Sequence, residues 1–317
     1  MERGTRRDDE EVTELGTLDR TVFKEERLEL EAIARRFEGA LGIASARVDR
    51  PHAVLDVNGD EVFPGASVIK IALALEVFCQ VDEGAISLGE RVTLRTSDKV
   101  IGSGVLAELA EGLSPTIGDL VYLAMSISDN TAANLLVERV GISSVNKRLA
   151  NLGLEKTRLS GKILVHETQH GPPQDEDFGV KASAVTDARD DGRGERSPMT
   201  ARELVRLLSC VYRREGLPPS ACEALLETLQ KTQTASSIRR GLPESRFRDR
   251  TPARLFHKTG SIRGVVNDAG IVATERGAYA VALLSKGSRD LRPTQDNVAR
   301  VALADASRVV YKAMREE

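Results

Sequence analysis

The two ends of this 317-residue chain carry one element pattern in mirror order, and that pattern constrains the fold more than any other feature. Near the start, Leu30, Ile33, Ala34, Phe37 and Leu41 recur at helical spacing and predict an amphipathic helix. GIASARVD and AVLDVN follow as two short strands of a hairpin, the second closed by Asn58-Gly59. Near the end, RLFHKTG, NDAGIVA and AYAVALLSKG read as strands separated by turn residues. A final helix then places Val298, Ala302, Ala306, Val310 and Ala313 on one face. A sheet and an amphipathic helix must each bury an apolar face. One antiparallel sheet built from both chain ends and covered by both terminal helices does this for all of them.

Between the ends the pattern is helical. Ile69–Val81 is an apolar helix, Thr116 with Asp119 three residues on resembles a capping box, and Thr131–Val140 is a further helix. Helices resume at Met199–Arg213 and near Ser220–Lys231. The expected fold class is α/β, an α+β sandwich. Residues 21–64 and 250–317 form its α/β lobe, and 65–236 an inserted all-helical lobe. Residues 1–20 are charged and aperiodic and read as a mobile tail. Residues 171–196 carry Pro, Gly and dense charge and read as a flexible surface loop.

Composition bears on partners. Lys plus Arg is 45 and Asp plus Glu is 48, so the net charge is 45 − 48 = −3, and nothing in it favours nucleic acid or an anionic membrane. Trp is absent and aromatics total 3%, too few for a base-stacking platform. Cys79, Cys210 and Cys222 are scattered and form neither a metal-type pair nor a disulfide framework, and Cys79 reads as a small buried hydrophobe. No metal and no cofactor is expected, and the chain is expected to act as a monomer on a small-molecule substrate. MERGTRRDDEEVTELG has no apolar leader core and no stretch is long enough to span a membrane. As written the chain is expected in the cytoplasm, and in the periplasm or outside the cell if its N-terminus was altered.

Three short motifs carry chemistry. Ser67 and Lys70 open the first long apolar helix, three apart and so on one face. A serine hydroxyl is a poor nucleophile until a neighbour takes its proton, and a desolvated lysine can do that. Ser128-Asp129-Asn130 lies between two helices. A helix cap accounts for the Asx residues there but not for Ser128. Lys258-Thr259-Gly260 ends a strand and is followed by Ser261. It reads either as a strand closing in a turn or as an edge strand facing a ligand, with Gly260 allowing close approach.

Each motif alone is common. Together, in this order and placement, they resemble the signature set of class A β-lactamases and penicillin-binding proteins. FPGASVIK, SDNTAANLL, GLEKTRL and HKTGSIRGVVNDAGIV also look like class A segments, and the likeness covers about 250 residues. The resemblance implies that Ser67 is acylated, with Lys70 its base and Ser128 passing a proton to the leaving nitrogen. Asn130 would bind a substrate amide and help orient Lys70. Lys258 and Thr259 would hold a carboxylate beside Gly260, and the N–H groups of Ser67 and Ser261 would form the oxyanion hole. The match breaks after Thr157-Arg158-Leu159, where the family's Glu-x-x-Leu-Asn is missing and SGKILVHET resembles a divergent branch. Glu167, flanked by His166 and His170, is the first carboxylate beyond that point and the candidate base for the deacylating water; otherwise it is a solvated loop charge. The implied activity is β-lactam hydrolysis. A D,D-peptidase, an esterase-like hydrolase or a non-turnover penicillin-binding module would share the same site.

Overall fold

A computed structural model describes residues 23–163, 197–243 and 253–316. The expected 1–20 tail and 171–196 loop lie outside the described residues. The chain begins with α1 (Lys24–Arg36), the hairpin β1 (Ala40–Arg47) and β2 (Arg50–Val57), and the short strand β3 (Phe63–Pro64). A 3₁₀ turn, Ala66–Ile69, leads into α2 (Lys70–Asp82). Then come α3 (Ile117–Ser126), α4 (Asn130–Val140) and α5 (Ile142–Asn151). Strand β4 (Pro198–Met199) pairs with β3 and precedes α6 (Ala201–Arg213), α7 (Pro219–Gln230) and α8 (Ser237–Gly241). Strands β5 (Ala253–Ile262), β6 (Val265–Thr274) and β7 (Gly277–Lys286) and helix α9 (Val298–Glu316) complete it.

The mirrored ends meet as expected. The five-stranded antiparallel sheet has the order β2-β1-β7-β6-β5, so the first and last strands of the chain pair at its centre, Ala40 with Lys286 through Arg47 with Tyr279. Strand alternation sends neighbouring side chains into two cores. Leu41, Ile43, Leu55, Val281 and Leu283 pack with Leu30 of α1 and Leu303 and Val310 of α9. Ala44, Ala46, Ala280 and Ala282 join the opposite core with Phe63 and Leu204, Leu207 and Leu208 of α6. Because both faces are covered, these strands read as continuous apolar runs rather than as alternations. Each fully buried Leu or Ile contributes about 1.5–3 kcal/mol.

Three details depart from the sequence expectation. Met199 is not in the helix that follows it: it pairs with Phe63 in strand β4, and the helix begins at Ala201 behind the Thr200 cap. Leu41 is not on the first helix. The chain leaves α1 at Phe37, which is extended (φ −81°, ψ 131°), and Leu41 lies in β1. The reason is tertiary: Gly39 lies so close to the end of β7 that a Cβ there would be 2.1 Å from the Lys286 carbonyl oxygen. Pairing of β1 with β7 therefore outweighs one more helical turn. On α9 the buried stripe runs through Ala299, Leu303, Ala306, Val310 and Ala313, while Val298 is 48% exposed. The helix begins one residue out of phase with the expected face. The Thr116–Asp119 capping box is present, with reciprocal bonds of 3.0 and 2.8 Å at the start of α3. Among the described residues no helix is long and apolar enough to cross a membrane.

Candidate active site

Ser67 sits in the 3₁₀ turn at the head of α2, half-buried, with Lys70 one turn on and fully buried. The turn is held against the sheet. Asn267 of β6 donates to the carbonyls of Pro64 (2.7 Å) and Gly65 (3.2 Å) and accepts from the Ser285 N–H (3.0 Å). Gly260 of β5 closes the approach, because a Cβ there would lie 2.7 Å from the Ser67 nitrogen and 2.9 Å from that of Val68. Ala66, just before Ser67, adopts φ 47°, in the left-handed region. That conformation costs a side-chain-bearing residue roughly 1–2 kcal/mol. Strain of this kind persists where the surroundings over-determine the backbone, here immediately before the serine.

The second motif comes in from the helices. Asp129 caps α4, accepting from the Ala132 N–H at 2.9 Å, and its other oxygen accepts from Val105 (2.7 Å) and Leu106 (2.8 Å). A Cβ at Gly104 would clash with this carboxylate at 2.2 Å. The cap thus fixes Ser128, whose φ of 64° is also left-handed. Ser103 ties the same turn from outside, donating to the Ser128 carbonyl at 2.7 Å, while its own carbonyl accepts from the Asn130 N–H at 3.0 Å.

The third motif lies on the sheet edge. Strand β5 does not close in a turn at Gly260; it runs on to Ile262 as an edge strand, pairing only with β6 in this sheet. Its Lys258 is fully buried, Thr259 half-buried and Ser261 exposed.

The three motifs meet at one atom. Ser128 Oγ accepts from Lys258 Nζ at 3.0 Å and lies 3.3 Å from Lys70 Nζ. Lys70 also donates to the Ser128 carbonyl (2.6 Å), the Asp129 carbonyl (3.3 Å) and Asn130 Oδ1 (2.9 Å). Lys258 also donates to the Thr259 carbonyl at 2.8 Å. Burial pushes the Lys70 ammonium well below its ordinary pKa, the Lys258 charge adds to the shift, and Asp129 opposes it. Burial likewise lowers Lys258 to about 7, with Asp268 opposing. Two buried ammonium groups sharing one hydroxyl favour the neutral form of at least one, the form that can take a proton. Among the described residues no three His, Cys, Asp or Glu side chains are grouped as metal ligands. Glu167, with His166 and His170, lies outside the described residues. The described chain before it ends at Ile163, whose N–H and carbonyl are both held by the Asn134 amide, at 2.6 and 2.9 Å.

The chain has clear relatives. A model of the β-lactamase enzyme family matches residues 27–314. The chain belongs to that family. It is 26% identical over 303 residues to the β-lactamase of Bacillus licheniformis, covering 93% of this chain and 85% of that one. To β-lactamase BRO-1 of Moraxella catarrhalis it is 27% identical over 120 residues, which span 37% of this chain and 38% of that protein. Among solved structures it resembles a β-lactamase from Sphaerobacter thermophilus, with a TM-score of 0.74 at 30% identity over 93% of this chain and 98% of that one. It also resembles a mutant of PBP-A in an acyl-enzyme complex with penicillin G, with a TM-score of 0.74 at 26% identity over 93% and 97%. The fold is therefore that of the class A β-lactamases.

Sequence reasoning missed several residues that the structure brings to this cleft. Asn267 and Asp268 were legible only as two polar side chains inside an apolar strand, which marks a buried polar role without naming it. Ser103 and Thr234 carry no local signal, since both lie in irregular stretches where neither period nor capping singles out a residue.

Proposed function

We propose that the protein is a serine hydrolase that forms an acyl-enzyme on Ser67 and hydrolyses β-lactam rings. The observation that carries this reading is Ser128 Oγ standing between Lys70 and Lys258, with Gly260 against the Ser67 nitrogen. In the proposed reaction neutral Lys70 takes the Ser67 proton as Oγ attacks the ring carbonyl. The oxyanion is met by the N–H groups of Ser67 and Ser261, and losing one such donor costs roughly 3–4 kcal/mol of transition-state stabilisation. The proton reaches the ring nitrogen through Ser128, whose hydroxyl is within reach of both lysines. Charged Lys258 and the Thr259 hydroxyl hold the substrate carboxylate, and Asn130 meets the side-chain amide while orienting Lys70. Glu167 is proposed to activate the water that releases the acyl group.

A second reading is favoured by one feature of the sequence, the missing Glu-x-x-Leu-Asn after Leu159. On that reading the same site acylates and releases its product slowly, as a penicillin-binding module does, or serves a D,D-peptidase or esterase substrate. A chromogenic cephalosporin and a penicillin separate the readings when ring opening and intact mass are followed together. Continuous ring opening with no lasting adduct supports hydrolysis. One stoichiometric adduct on Ser67 supports slow release, and neither supports a different substrate. Ser67→Ala is expected to lose adduct and turnover alike, and a fully active Ser67→Ala protein would remove the site from consideration.

A further inference from the structure

The segment joining α7 to α8 is fastened more heavily than a connection needs to be. The Thr232 hydroxyl donates to the His257 carbonyl at 2.7 Å, and the Gln233 N–H donates to the Ser126 carbonyl at the end of α3 at 2.9 Å. The Ser236 hydroxyl donates to Asp268 Oδ2 at 2.6 Å, and the Ile238 N–H donates to the same oxygen at 3.0 Å. The other oxygen of Asp268 meets His257 Nδ1 at 3.1 Å, and all three side chains, Ser236, His257 and Asp268, are buried. A surface connection would leave such groups to water. Here they clamp one short segment to β5, β6 and α3.

What the clamp presents is Thr234. It is half-buried, and its hydroxyl lies 2.7 Å from that of Thr259, the residue after Lys258. A bond between two hydroxyls uses one proton and leaves the other free. In this structure Thr259 donates to Thr234 Oγ1; when an anionic ligand takes the Thr259 proton, the Thr234 hydroxyl can donate to Thr259 Oγ1 in return and set the direction of that hydroxyl. Without Thr234 that hydroxyl rotates freely and must be ordered when the ligand binds, at a cost in affinity.

We propose that Thr234 is a specificity-determining, positioning residue for anionic substrates: it fixes the Thr259 hydroxyl as a donor to the carboxylate held by Lys258. The inference rests on the reading of β5 as the carboxylate site, and the experiment separates the two. The second-order rate constant for ring opening is measured on benzylpenicillin and on its neutral methyl ester, and their ratio is the readout. Thr234→Val is expected to lower the ratio about fivefold, the worth of one hydrogen bond to a charged partner once the ordering cost is offset. Thr234→Ser keeps the hydroxyl and is expected to restore the ratio; a general loosening of the segment would move both substrates together and leave the ratio alone. A ratio that falls in Thr259→Val but not in Thr234→Val overturns the inference and leaves the carboxylate site standing. A ratio unmoved by either variant, or a wild-type protein that opens neither ring, overturns both. If Thr234→Val fails to fold, Thr234→Ala is read in its place with the same outcomes.

Discussion

The centre of the sheet and its β5 edge are built on opposite principles. At the centre, β1 and β7 bury mainly apolar side chains, Ile43, Val281 and Leu283 on one face and Ala44, Ala280 and Ala282 on the other, beside the backbone-bonded hydroxyls of Ser45 and Ser285. One and two strands beyond β7, β6 and β5 bury Asn267, Asp268, His257 and Lys258. Apolar burial is non-directional, so many side chains of similar volume fill the centre and each contributes alone. Buried polar groups stabilise only when their partners are in place, and they make the edge specific at a cost in stability. The molecule keeps its stability in one region and spends some of it in the other.

The sharpest way to break the comparison is Lys258→Met. Removing one partner of a buried charge-to-carboxylate contact costs about 3–4 kcal/mol, so ring opening of carboxylate substrates is expected to slow by roughly 10²–10³-fold. The same change removes a buried ammonium, so the thermal unfolding midpoint is expected to rise. A variant less stable than wild type at pH 7 would contradict the view of the edge as a destabilised site. The pH dependence sharpens this. The folded Lys258 loses its proton near 7 and the unfolded one near the ordinary lysine value of 10.5. Between those pH values the unfolded chain binds more protons, so this lysine makes stability rise with pH there. Lys70, also shifted down by burial, acts with the same sign. Denaturant titrations at pH 7 and pH 9.5 should therefore show a smaller increase in Lys258→Met than in wild type. Affinity runs the other way: on the proposed reading charged Lys258 binds the carboxylate, so KM for a carboxylate substrate is expected to rise as pH climbs through about 7.

At the centre, Leu283→Ala is expected to cost about 2–5 kcal/mol of stability, read by denaturant unfolding, while the folded protein keeps the wild-type hydrolysis rate. Its side chain packs in the α1–α9 core. Gly260→Ala tests the border of the two regions. The new Cβ would meet the Ser67 nitrogen at 2.7 Å, and displacing a nucleophile by about 1 Å costs on the order of 10²-fold in rate. The smallest effect is expected far from both regions: Thr116→Ala removes the α3 cap at about 1 kcal/mol, with no change in activity.

Much of this was legible beforehand where local rules apply. The α2, α4 and α7 helices, the β1–β2 hairpin and the three late strands follow from periodicity and turn residues. The Thr116 cap follows from a four-residue pattern. Leu41 was misplaced because the end of the first helix was set by a strand pairing across the chain, Gly39 against Lys286, that no local window contains; on the last helix the buried stripe begins at Ala299 rather than Val298. The motif residues were legible as a set because their types and order match a known family, not because spacing along the chain places Ser67, Ser128 and Lys258 together.

By itself, then, the sequence determined which segments are helix or strand, that both chain ends must share one sheet, and which short motifs to bring together. Those properties depend on side chains a few residues apart. Only the tertiary structure decided that Ser128 Oγ stands between two lysines, that Asn267 holds the turn bearing Ser67, and that Thr234 meets Thr259. Such contacts join residues far apart in the chain, and they are set by how the two cores pack, so no local pattern records them.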